Sequence, residues 1–193
     1  MKKLVLSAAA LLASTMMFAQ VGWSFDKSHS SVKFSISHMV VSDVQGAFKK
    51  FSGTIVSEKD DFSDVKVEFT IDVNSIDTDE PQRDAHLKSA DFFDITSYPS
   101  IVFKSTSFTK VSGNKYKLVG NLTMHGVTKS VSLDVTNGGT IKDPYGNKRT
   151  GFKVTGVINR YDFGLKYNAV LEAGGLTIGE TVDFVGSLEF IKK

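Results

Sequence analysis

The chain has 193 residues, with 23 Lys or Arg against 21 Asp or Glu and a formal net charge of +2. That balance gives no general attraction for nucleic acid or for an anionic membrane. Cysteine is absent, which excludes disulfides, thiol chemistry, thiolate metal sites and the lipidated cysteine of a bacterial lipoprotein.

In chain order, Lys2 and Lys3 precede the apolar run LVLSAAALLASTMMFA, and polar Gln20 follows it at once. The run is short for a membrane span and has the flanks of a secretory signal. Residues 1–19 are therefore read as a leader cut after Ala19, and residues 20–193 as the domain. Both leader lysines leave with it, so the remainder carries 21 charges of each sign. About 174 residues suffice for one sizeable core. The expected location is periplasmic or secreted, without stable membrane insertion.

From there alternation dominates. Val32, Phe34 and Ile36 share one face of SVKFSIS, and GTIVS is a weaker strand. In VKVEFTIDV, Val65, Val67, Phe69, Ile71 and Val73 point one way and the polar residues the other, a period of two without exception. IVFKSTSF carries Phe103. KYKLVGNLTM places Tyr116, Leu118, Leu122 and Met124 on one face with Gly120 among them. Val131, Leu133 and Val135 follow, then Phe152, Val154 and Ile158, and finally Val182, Phe184, Leu188 and Phe190. Turn signals stand at SGN (112–114), NGG (137–139), DPYGN (143–147) and AGG (173–175). About eight strands at hairpin spacing predict an all-β antiparallel barrel or sandwich.

One interval differs. Thr78 or Asp79 can cap a helix that begins at Pro81 and runs through PQRDAHLKS, with a second short turn at SADFFD. This short helical lid between two strands is expected across one end of the barrel. Its charges, Arg83, Asp84, His86, Asp91 and Asp94, face water or cap turns, and Phe92 and Phe93 turn inward.

The inward faces are aliphatic or phenylalanine, of which the chain has 15, and Gly120, Gly156 and Gly186 remove volume from the same faces. Such a set either interlocks as a solid core or leaves an apolar tunnel, and periodicity does not separate the two. A tunnel would suit a hydrocarbon tail. At roughly 0.8 kcal/mol per methylene, about fifteen carbons gain roughly 12 kcal/mol before ordering costs.

The chemical alternatives are weaker. The nearest histidines, His29 and His38, are nine apart on one predicted strand and face opposite ways unless a bulge intervenes; no metal site is expected. Ser89 and Ser97 lack the strained-turn setting of a nucleophile, so no enzyme is expected. GGLTIG (174–179) lacks the lysine and helix of a phosphate loop and reads as a hairpin turn. An outer-membrane barrel would need a polar lumen and aromatic girdles, which this pattern lacks.

WSFDKSHSSVKFSISH (23–38), GAFKKFSGTI (46–55), DVNSIDTDEPQRDAHLKSADFFDITSYPSIVFKST (72–106), GNLTMHGVTKSVSL (120–133) and INRYDFGL (158–165) appear in order. Together they resemble the YceI-like family of exported, lipocalin-like polyisoprenoid-binding proteins, across essentially the whole chain after the leader. The resemblance implies an extended barrel around an apolar pore, a long isoprenoid or fatty-acyl amphiphile as ligand, and neither catalysis nor a required cofactor. His29, Asp91, Phe92, Phe93, Asp94, Pro99, Gly126, Arg160 and Gly164 occupy motif positions of that family.

The expected function is a periplasmic carrier or sequestering protein for such a lipid. Phe34, Ile36, Phe69, Ile71, Phe103, Leu118, Leu122, Leu133, Phe152, Phe184 and Leu188 would line the tunnel, with Phe92 and Phe93 holding the lid. Arg160, and Arg83 with it, would meet a polar or phosphorylated head group, unless each makes a surface or intramolecular ion pair instead. The alternative is a stress-related or protein-interaction module in which bound lipid is structural. A homodimer is left open.

Overall fold

The alternating segments pair edge to edge until the sheet meets itself. The computed structural model describes residues 22–57, 59, 61–170 and 176–192. The expected leader and the AGG turn lie outside the described residues. Among those residues the strands are β1 (Gly22–His38), β2 (Ser42–Phe48), β3 (Phe51–Val56), β4 (Lys66–Asp72), β5 (Ile76–Asp77), β6 (Ser100–Ser112), β7 (Lys115–Met124), β8 (Val127–Lys142), β9 (Lys148–Asn159) and β10 (Ile178–Lys192). One α-helix, α1 (Pro81–Lys88), lies between β5 and β6.

Eight strands close the ring in the order β1, β3, β4, β6, β7, β8, β9, β10, and β10 pairs back onto β1. Every neighbour is antiparallel, and closure removes the exposed edges that invite aggregation. β1 reaches both ends of the barrel. Its first residues pair with β3, from Gly22 opposite Val56, and its second half pairs with β2, from Val32 opposite Phe48. A register shift between Asp26 and Ser31 bends it on the way. The tiny β5 adds to β2 at the lid end.

Two expectations are corrected locally. The NGG sequence is not a turn: β8 continues through it to Lys142 with a bulge between Asn137 and Thr140. The Gly139 N–H is taken up by the Asn137 side chain (2.7 Å). The helix cap is Glu80, whose carboxylate accepts the Gln82 and Arg83 N–H groups (3.2 and 2.6 Å). Asp79 has a positive φ of 59°, not the extended conformation a cap needs. The Thr78 hydroxyl donates to Asp84 instead (2.6 Å).

The buried side chains form two clusters along the barrel. One holds Trp23, Ile55, Phe62, Val135, Phe152 and Phe190; the other holds Phe48, Val73, Ile76, Ile101, Met124 and Phe163 beneath the lid. Outside the first cluster, the Arg149 guanidinium meets Asp26, Asp143 and Glu189, each at 2.7 Å, tying β9 to β1, to the β8–β9 turn and to β10. No helix among the described residues is long and apolar enough to cross a membrane.

Candidate ligand-binding cavity

One end of the barrel is solid. Phe62, from the β3–β4 connection, packs on Trp23 (5.4 Å between ring centroids) and edge-on to Phe152 (5.3 Å), which in turn meets Phe190 (6.2 Å). Phe152 therefore belongs to this plug and not to a tunnel wall. Its expected lining position is corrected: it is buried among rings and does not border the hollow.

Beyond the plug the barrel is hollow. A cavity of about 680 Å³ begins over Leu118, Leu133 and Val154 and extends to the lid, within the roughly 300–1,000 Å³ usual for small-molecule sites. Phe34 and Ile36 reach it from β1, Phe69 and Ile71 from β4, and Phe103 from β6. Leu122 on β7, with Phe184 and Leu188 on β10, completes the expected wall. Alternation along the same strands also brings Val131, Ile158 and Val182 to the cavity. Leu165 and Tyr167 border it too, but they lie in irregular backbone where no periodicity could mark them.

Glycines explain why rings in this half leave a hollow. The rings of Phe34, Phe69, Phe103 and Phe184 lie over Gly46, Gly53, Gly120 and Gly156, and a Cβ at any of these would collide with the ring. In three of the pairs, Phe34 with Gly46, Phe69 with Gly53 and Phe184 with Gly156, the two residues are direct cross-strand partners. In those three pairs the glycine leaves one cross-strand position without a side chain and the ring folds flat over it, whereas Phe103, opposite Leu122, lies over the diagonal Gly120. Flat rings make a wall; rings that project across the axis make a plug.

The lid is fastened by short-range contacts. Arg83 donates from Nε to the Thr78 hydroxyl (2.8 Å) and from Nη2 to the Thr78 carbonyl (2.7 Å). The His86 ring stands edge-on to Phe92 (5.0 Å) and Tyr167 (4.8 Å), and its Nε2 lies 2.9 Å from Asp91 Oδ2. Asp91 thus partners the lid histidine and does not cap a turn. Phe93 meets Phe48 edge-on at 6.3 Å. Phe92, Phe93, Arg83 and His86 all border the cavity.

Arg160 borders it as well, but as a clamp. Only 3% exposed, it donates to the carbonyls of Leu165 (2.6 Å), Gly179 (2.8 Å), Tyr167 (2.9 Å) and Ile178 (3.4 Å). Its face packs on the Tyr161 ring at 4.6 Å. Burial pushes its pKa below the usual arginine value. The arginine holds the 160–168 segment against β10 and leaves a positive field at the cavity edge.

The charged cluster at the plugged end is a staple and not a metal centre. Ligand atoms of Asp26, His29 and Glu189 lie within 4.8 Å of one another, but the Arg149 Nη1 already donates to both carboxylates. The hydrogen bond from His29, then that from Arg149, lowers the Asp26 pKa from 3.8 to about 2. Arg149 is the leading cause of the still stronger depression at Asp143.

An antiparallel barrel of eight strands, plugged at one end and lidded at the other around an apolar hollow, is a lipocalin-like, ligand-enclosing fold. A family model described as a YceI-like domain matches residues 23–190. The chain belongs to the YceI-like family. A UPF0312 protein of Staphylococcus aureus is 41% identical over 169 residues, covering 87% of this chain and 96% of its own. The crystal structure of BcnA from Burkholderia cenocepacia superposes with a TM-score of 0.75 at 25% identity, covering 86% of this chain and 98% of that one. A polyisoprenoid-binding domain from Saccharophagus degradans shares the fold, with a TM-score of 0.64 at 18% identity over 89% of this chain and 98% of its own.

Proposed function

We propose that this protein binds a long-chain isoprenoid or acyl lipid in the barrel, as an exported carrier or sequestering protein. One observation supports this above the rest: the hollow is walled by aliphatic and flat aromatic side chains, and its polar neighbours are on the lid (Glu80, Gln82, Arg83, His86), along β1 (Lys33, Ser37, His38) and at Arg160, Tyr167 and Thr177. The tail would lie between Phe34, Ile36, Phe69, Ile71, Phe103, Leu118, Leu122, Leu133, Phe184 and Leu188, with Phe92 and Phe93 closing over it. The head group would rest near Gln82, Arg83, His86 and Arg160, which border the same cavity. The Saccharophagus degradans domain, named for polyisoprenoid binding, has the same fold. The reading calls for no cofactor. Export follows from the leader read at residues 1–19, and residue 20 as the N-terminus of the protein recovered from a periplasmic fraction would support it.

Organic extraction and mass spectrometry of the purified protein should yield one lipid class at near-stoichiometric amount. Several preparations that carry none, and take up none when it is offered, would sink the proposal. Lipid that co-purifies but never exchanges with vesicles would favour the structural-lipid module over a carrier.

A further inference from the structure

Three exposed apolar side chains stand together where the barrel opens. Met39, Val40 and Val41 form the tip between β1 and β2 and are 42%, 75% and 84% exposed. The tip is pinned beside the mouth: Met39 N–H donates to the Thr177 carbonyl (2.8 Å), and His38 pairs with Ile178. His38, Val44, Thr177 and Ile178 all border the cavity. Val170, 79% exposed, stands on the adjoining segment, where Thr177 N–H donates to the Ala169 carbonyl (2.9 Å). Apolar surface outside the barrel thus lies next to apolar wall inside it.

The tip keeps these side chains against local preference. Val41 N–H returns to the His38 carbonyl (3.2 Å), and the two residues between have positive φ, 51° at Met39 and 63° at Val40. Two successive positive-φ residues, a feature shared with the type I′ turn, favour Asn and Gly. A β-branched valine there is a steric outlier. Its side chain is not used in either core cluster. Strain maintained to display greasy atoms outside the core points to a partner that accepts them.

We propose that the Met39–Val40–Val41 tip, with Val170, dips into the interfacial layer of a phospholipid bilayer and sets the cavity mouth against it. The purpose of this contact rests on the lipid-binding reading above; its geometry does not. Four side chains are far fewer than the roughly 800 Å² per partner of a stable protein interface, but they suit a shallow, reversible membrane contact. Exposed Asp43 and Lys166, chain neighbours of the cavity-bordering Val44, Leu165 and Tyr167, carry opposite charges. Attachment is therefore carried by apolar burial and does not depend on anionic lipid.

The test is flotation of the protein with phosphatidylcholine vesicles at low and high salt, beside the variant Met39→Asn/Val40→Gly. The parent should float at both salt levels, and the variant should lose about tenfold or more in partitioning. Because Asn-Gly suits the turn, the variant should melt no lower than the parent. It should also load a fluorescent acyl probe from aqueous solution as well as the parent does. Equal flotation of the two proteins, or no flotation of the parent, overturns the proposal. So does a parent that sediments as a dimer while the variant is a monomer, because the tip would then cover a second copy. Failure of both proteins to load the probe strikes the lipid-binding reading and leaves the flotation result standing.

Discussion

Phe152 and Phe184 are both inward phenylalanines on neighbouring strands, and they do opposite things. Phe152 meets Phe62 and Phe190 and helps make the barrel solid. Phe184 lies over Gly156, its cross-strand partner, and helps keep the barrel open. Phe184 has a glycine beside it to fold over, whereas Phe152 stands between Leu188 and Asn137 with no glycine beneath its ring. Solid and hollow halves can therefore share one sheet and one alphabet of residues, with the plug supplying rigidity and the glycine-backed wall supplying room.

If that division is right, the two halves should come apart under mutation. The largest effect is expected from Phe152→Ala, which should destabilise by about 3–5 kcal/mol in denaturant unfolding, as large core truncations do. Lipid affinity should hardly move. A parallel loss of affinity would show that the plug and the hollow are not separate.

A smaller effect, on binding rather than stability, is expected from Gly186→Leu. Gly186 borders the cavity, and a Cβ there meets nothing closer than Leu188 Cγ at 3.7 Å. The added branch should fill lumen instead of striking backbone. Displacing about two methylenes of guest should weaken lipid binding about tenfold, with preference shifted to shorter tails in a competition assay. Gly120 is the wrong place for this test, because a Cβ there would meet the Lys104 carbonyl at 2.5 Å. Unchanged affinity in Gly186→Leu would mean that the guest does not occupy this part of the barrel.

The smallest expected effect is an acid limb that belongs to the plugged end alone. The Asp26 pKa is depressed in the folded state, from 3.8 to about 2. Its contribution is thus fully present above pH 3.8 and lost as pH falls through about 2. Asp143 acts in the same direction. Thermal melts of Arg149→Met should be lower than the parent's at neutral pH and should show a shallower decline across that acid window. Lipid loading at neutral pH should be unaffected. An acid profile identical to the parent's would remove the Arg149 cluster from the account.

Face was legible in the sequence, and depth was not. Alternation placed Val65, Val67, Phe69, Ile71 and Val73 on one side with no ambiguity, and the structure keeps all five against the interior. The position of a residue along the barrel depends on register, which pairing and bulges set. The shift at Asp26–Ser31 carries no strong local signature, and that at Asn137–Thr140 carries one, NGG, that suits a turn as well as a bulge. Phe152 was misplaced for that reason. The lid was legible because Pro81 breaks the alternation, but its cap moved to Glu80 because Asp79 took a left-handed turn. The apolar tip at Met39–Val41 has its own signal in the sequence: a hairpin connection with neither Asn nor Gly where both are favoured.

The plug has a kinetic corollary. With Trp23, Phe62, Phe152 and Phe190 packed across one end, a guest of the proposed kind would, among the described residues, enter and leave by the lid end. In the proposed carrier, a long molecule so held would keep its far terminus hidden and its near terminus at the sill. An acceptor would then read only that near terminus, and no newcomer could push the occupant through from behind.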